Sequence, residues 1–264
     1  MFPFFELFSD FRIYTFWLTL TLCFLLFIWM LKKLSIKLAS DFSIFSQNIL
    51  WYFLSVFMFS RLFYVIWKWN ELKYIKDPFD FFIMNDYNFS LVWAFIWFFV
   101  VLIINLRIRK EELEKYIDTL VLSFIFILFI GFAWAILWGQ VYWIDTHFGI
   151  EVLYTHSFTP IPFQVPIFPL PIIYSILYFI LFSILYILSM YIHIRWLLWY
   201  TWLTAMASIL LIFDFFSWKS DILKEAVWMN ITQLFSIFLI IFCTYKLYYI
   251  SKNSSSNKDT TLIS

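Results

Sequence analysis

The sequence predicts an all-α fold, a polytopic bundle of about seven transmembrane helices with its N-terminus outside and its C-terminus in the cytoplasm. Three observations lead there. Hydrophobic residues fill 64% of the 264 positions against 13% charged, and 37 of them are Phe, more apolar surface than a water-soluble domain of this length can cover. The apolar residues come in uninterrupted windows, each close to the roughly 20 residues that cross a ~30 Å hydrocarbon layer. Nearly all the lysines and arginines fall between those windows.

The windows run approximately over 13–31, 43–67, 89–106, 117–143, 171–192, 196–216 and 227–250, a single transmembrane domain over 1–250. They are too long and too uniformly apolar for the alternating strands of a membrane barrel, so helices are the expected form. The first is preceded by Glu6 and Asp10 rather than a basic segment and followed by Lys32 and Lys33 without a small-residue cleavage site, which makes it an anchor rather than a cleaved signal. The second carries Arg61 and Tyr64, the third opens at Ser90, and the fourth runs from Asp118 past Gly131 and Ala135 to Gly139 and Gln140. Between the fourth and fifth, residues 144–170 hold Pro160, Pro162, Pro166 and Pro169, with Pro171 just beyond, and are expected to lie as a non-helical loop on the outer face. Asp214 stands near the outer end of the sixth window. The polar residues 251–264, SKNSSSNKDTTLIS, read as a disordered cytoplasmic tail.

Orientation follows from the basic residues, because cytoplasmic loops are enriched in them. With the N-terminus outside, eleven lie inside: Lys32, Lys33, Lys37, Arg107, Arg109, Lys110, Lys115, Arg195, Lys246, Lys252 and Lys258. Six lie outside: Arg12, Lys68, Lys73, Lys76, Lys219 and Lys224. A net charge of +1, with no basic patch, argues against a nucleic-acid partner.

Charged side chains within spans are the first functional candidates, since each costs ~2.5–3.5 kcal/mol at a helix centre on insertion scales. Arg61 and Asp214 lie towards the outer side, and Tyr64, Ser90, Gln140, Asn230 and Gln233 fall in the same outer third, so one outer cluster is conceivable. Snorkelling of Arg61 to the interface, and Asp214 at headgroup level, are the plain structural alternatives. Gly131, Ala135 and Gly139 repeat every four residues, a small stripe that admits a close helix, with Thr204 and Ser208 of the sixth window as the expected facing surface. Cys23 and Cys243 sit in apolar runs without metal-ligand spacing and read as free thiols. His147 and His156, nine residues apart in the outer loop, carry no metal signature, and there is no GxSxG, HExxH or phosphate-binding glycine loop, so neither a metal nor a cofactor is expected.

The order of features resembles the prolipoprotein diacylglyceryl transferase family, seven-span bacterial enzymes of the plasma membrane, over most of the chain. SRLFYV at 60–65, then Trp67 and DPFDFF at 77–82, is similar to the family's Gly-Arg-x-x-Tyr-Val segment and the Asp-Pro after it. NFSL at 88–91 falls where the family has Gly-Met-Ser-Phe, IDTLV at 117–121 resembles the opening of its fourth span, and FDFF at 213–216 looks like its Val-Glu-Phe-Phe. The departures fall on the chemistry. Val92, Trp93 and Ala94 replace His-Gly-Gly; Gly131, Phe132 and Ala135 stand at the signature Gly-Arg-x-x-Asn. Matching LWG at 137–139 to the family's Leu-Trp-Gly puts Leu128 at that arginine instead. Leu210 occupies the later arginine, and FPLPIIY at 168–174 stands for His-Pro-Ser-Gln-Leu-Tyr.

The resemblance implies transfer of a diacylglyceryl group from phosphatidylglycerol to the lipobox cysteine of a prolipoprotein signal peptide, with Arg61 and Asp214 as catalytic groups. It implies Tyr64, Ser90, Gly139 and Gln140 as substrate-binding and Asp118, Gly131 and Ala135 as structural positions. A noncatalytic descendant that binds lipid or a membrane partner is the alternative, and a small transporter or channel subunit ranks last.

Overall fold

The computed structural model describes residues 4–8, 11–67, 91–138, 169–191, 196–213 and 231–261. A short antiparallel hairpin comes first, β1 (Phe4–Phe8) and β2 (Phe11–Tyr14), with Glu6 opposite Arg12 in register. The windows contain no sign of it, because alternation over four or five residues disappears in a chain this apolar. The rest is helical: α1 (Thr15–Lys37), α2 (Ser43–Ser46), α3 (Ile49–Trp67), α4 (Leu91–Arg109), α5 (Glu114–Trp138), α6 (Leu170–Tyr191), α7 (Leu197–Phe213) and α8 (Ile231–Thr261).

Among the described residues five stretches are long and apolar enough to cross a membrane, namely Thr15–Lys37, Ile49–Ile66, Glu114–Leu137, Leu170–Tyr191 and Gln233–Lys252, and α7 is a shorter apolar helix. The chain is therefore a multi-pass membrane protein. Large apolar side chains lie on its outside, as lipid allows: Ile36, Leu50, Trp51, Ile108 and Phe238 are all exposed.

Two boundaries differ from the sequence reading. The second window does not begin a helix at 43 that continues to 67. Ser43–Ser46 form a separate turn, and α3 starts at Ile49. Asp41 accepts bonds from the Ser43 amide (2.8 Å) and hydroxyl (2.6 Å), an Asx-type turn that starts α2, and the chain turns again at Gln47 and Asn48, whose side chains bond Arg109 and Asn105 of α4. At the other end α8 continues to Thr261, so residues 251–261 are helical where an unstructured tail was expected. No glycine or proline occurs from Ile231 onward, and nothing in the chain breaks the ladder. At 1.5 Å per residue this helix is about 46 Å long, well beyond a ~30 Å hydrocarbon layer.

With only three glycines in the sequence, helix ends use other residues. Ala39 (φ 53°) and Lys110 (φ 57°) take the left-handed position just beyond α1 and α4. The Ser40 amide returns to the Ser35 carbonyl (3.0 Å) and the Glu111 amide to the Leu106 carbonyl (3.0 Å), the Schellman pattern that satisfies the last carbonyls.

The chain divides into two compact units, residues 1–34 with 117–264, and residues 35–116. In the first, aromatic pairs set the order of helices. Phe27 of α1 stacks on Phe124 of α5 (5.1 Å) and Trp29 meets Phe126 (6.4 Å), while Cys23 lies beside Gly131, so these helices run antiparallel. Phe126, Phe129 and Phe132 meet Phe182, Phe179 and Tyr178 of α6 in reverse order, at 5.5, 5.2 and 5.6 Å. Tyr174 near the start of α6 touches Phe213 at the end of α7 (6.1 Å), and Tyr200 of α7 touches Phe242 of α8 (6.4 Å). Adjacent helices thus alternate in direction, and the C-terminal ends of α1, α6 and α8 share one end of the unit with the N-terminal ends of α5 and α7. Each such ring pair contributes roughly 0.5–1.5 kcal/mol beyond simple burial, which is how a Phe-rich chain gains specificity where the hydrophobic effect does not drive helix association.

Candidate functional site

In the second unit α3 and α4 pack antiparallel through one face. Phe59 stacks on Trp97 at 3.6 Å and Phe63 on Trp93 at 3.8 Å, both nearly parallel, and Tyr52 meets Phe98 at 5.2 Å. Phe59 and Phe63 are four residues apart, so they form one ridge, and position 61 points away from it.

Arg61 nevertheless is only 2% exposed, with Ser60 and Val65 buried beside it. On the adjoining stripe Leu54 and Met58, seven and three residues earlier, are 49% and 47% exposed. The stripe is open along the first half of α3 and closed at Arg61 and Val65. The guanidinium is covered by protein atoms. Tyr64, three residues on, is half-buried, and neither it nor Arg61 lacks a partner. Ser60 donates to the Phe57 carbonyl of its own helix at 3.0 Å.

Of the other expected positions, Asp118 lies half-buried in the second turn of α5, and Gly131 and Ala135 lie one turn apart further along it. Ser90, Gly139, Gln140, Asn230 and Asp214 lie outside the described residues, as do His147 and His156. Gln233 is buried and donates to the Leu211 carbonyl of α7 at 3.4 Å, a helix-to-helix tie rather than a free polar group. Cys23 and Cys243 are free thiols.

At Gly131 the stripe on α5 meets α1. A Cβ built on Gly131 meets only Cys23 Sγ of α1, at 4.0 Å, ordinary van der Waals contact. Thr204 and Ser208 bond within α7, to the Tyr200 and Thr204 carbonyls at 2.8 Å each. Between α5 and α7, Phe124 stacks on Trp202 at 6.4 Å. Spacing alone showed that Gly131 and Ala135 share a face; it carried no information on which helix that face meets.

A polar cluster at the opposite end of α3 escaped the sequence reading. Arg109, at the end of α4, donates to Ser43 Oγ (2.7 Å), to the Ser43 carbonyl (3.5 Å) and to Gln47 Oε1. One turn further in, Asn48 Nδ2 donates to Asn105 Oδ1 at 3.2 Å. Hydrogen bonds from the Ser43 hydroxyl and amide hold the Asp41 carboxyl below the ordinary carboxylate range, and the Arg109 and Lys115 charges act in the same direction. Two asparagines inside apolar windows were the available signal, since a membrane-embedded amide requires a partner.

No family model matches the chain, and no curated protein matches it. Among the described residues no three His, Cys, Asp or Glu side chains come together as a metal site. What the described site offers is one buried cation, Arg61, with a phenol one turn away, on a helix apolar enough to span a membrane.

Proposed function

We propose that this chain is a diverged relative of the prolipoprotein diacylglyceryl transferases, holding the phosphate of phosphatidylglycerol with Arg61 at the outer leaflet of a bacterial plasma membrane. The burial of Arg61 carries the reading: a guanidinium inside an apolar span is costly, and bidentate recognition of a phosphate is one of the few tasks that justifies it. The whole path would comprise seven spans, with α4 and α7 joining the five stretches named above, the N-terminus outside and the C-terminus inside. In support, the end of the first unit shared by the termini of α1, α6 and α8 carries Lys32, Lys33, Lys246 and Lys252, as a cytoplasmic face does.

In the transfer itself the lipobox cysteine sulfur bonds to the glycerol carbon bearing the phosphate ester. The C–O bond breaks, and glycerol phosphate leaves with the electron pair. Arg61 offsets the charge on that leaving group, Tyr64 lies close enough in sequence to orient it, and the thiol proton passes to Asp214 or to a loop histidine, His147 or His156.

One observation favours the noncatalytic alternative. In the Val92-Trp93-Ala94 run that stands for the family's His-Gly-Gly, Trp93 is stacked on Phe63 at 3.8 Å, so a large packing side chain occupies the place of a glycine. Expression in a strain depleted of its own transferase separates the two readings. Lipidation of a model lipoprotein, followed by gel shift, supports transfer. Well-inserted protein that never lipidates supports a lipid- or partner-binding descendant.

A further inference from the structure

We infer that the C-terminal end of α1 binds an anionic phospholipid of the adjacent leaflet, independently of the site at Arg61. Lys33 Nζ lies 4.3 Å from the centre of the Trp29 ring, one turn earlier on α1. That ring is itself fixed from α5 by Phe126 at 6.4 Å, yet remains 47% exposed. The ring contact biases the ammonium towards one position on the exposed surface of α1. Lys32, also exposed, adds a second positive charge beside it, and α1 itself contains no acidic residue.

Below these charges the surface suits an acyl chain. Phe126 continues to Phe182 of α6 at 5.5 Å, so an aromatic row runs from Trp29 across the neighbouring helices. Two cations beside an apolar row match a phosphate head above a fatty chain, and a zwitterionic head would bring its own cation against the lysines. Juxtamembrane lysines near an anionic leaflet each contribute enough that removing two lowers affinity by about thirtyfold at low salt.

Native mass spectrometry of the full-length protein in mild detergent tests this, titrated with dioleoyl phosphatidic acid or dioleoyl phosphatidylcholine. Phosphatidic acid is chosen because it is anionic but lacks the glycerol head of the proposed substrate. Wild-type protein is expected to retain phosphatidic acid in preference, and Lys32→Gln/Lys33→Gln to lose about thirtyfold in affinity. Both lysines are exposed, so the double variant should melt as wild type does, and Lys33→Arg should keep the binding. Equal retention of the two lipids by wild type, or unchanged affinity in the folded double variant, overturns the assignment. Loss of lipidation in cells without loss of this binding would count against the transferase reading alone.

Discussion

Replacing Gly131 by Ala tests whether α5 uses its small residues for close helix approach. The Cβ of the new side chain meets only Cys23 Sγ, at 4.0 Å, so no neighbour has to move. Glycine in a helix interior costs about 0.8–1 kcal/mol relative to alanine. The added methyl gains only a few dispersion contacts of ~0.1–0.2 kcal/mol each. The structure therefore predicts that Gly131→Ala stabilises the protein by roughly 0.5–1 kcal/mol. A tight crossing would give the opposite sign, since overpacking costs typically ~1–3 kcal/mol. Denaturation midpoints in one defined detergent, wild type against variant, supply the comparison. Destabilisation by more than about 1 kcal/mol would show a backbone closer than the structure places it.

The same contact predicts that Gly131→Cys forms a disulfide with Cys23 on mild oxidation in a Cys243→Ala background, seen as a mass loss reversed by reductant; persistent free thiols would contradict the pairing of α1 with α5. Arg109→Gln removes the links to Ser43 and Gln47 and should cost about 1–2 kcal/mol, reduced from a buried case because the group is half-exposed. Lys110→Gly should stabilise by up to about 1 kcal/mol by relieving the left-handed backbone, whereas a loss would mean that the side chain matters more than the turn. Because the Asp41 pKa is lowered on folding, its contribution is present above the ordinary carboxylate range and fades as pH falls through it; Asp41→Asn should flatten the acid side of a plot of melting temperature against pH.

Much of the helical architecture is legible in composition because lipid permits so few alternatives. Long apolar windows had to be helices, and α6 and α7 lie close to where windows of spanning length put them. Details decided by single hydrogen bonds were not legible. The turn at Gln47 and Asn48 interrupts a run that looks continuous, and Ala39 and Lys110 end helices without the glycines that usually signal a stop. Partner choice was hidden as well. The i, i+4 spacing of Gly131 and Ala135 shows a face, but only packing shows that Gly131 meets Cys23 and that Phe124 meets Trp202. For the site, Arg61 stood out because charge in an apolar run is rare, and its burial is what the structure adds. Arg109 looked like an ordinary cytoplasmic cation, since its partners Ser43 and Gln47 lie more than sixty positions earlier in the sequence.

The most direct test of the central claim uses purified protein in phosphatidylglycerol-containing nanodiscs with a lipobox peptide, reading the diacylglyceryl adduct by mass spectrometry. Wild type should form the adduct. Arg61→Lys should lose much of the rate because a point charge does not reproduce the planar fork, and Arg61→Ala should lose nearly all of it. Adduct formation by Arg61→Ala at the wild-type rate would contradict the assignment of the phosphate to Arg61.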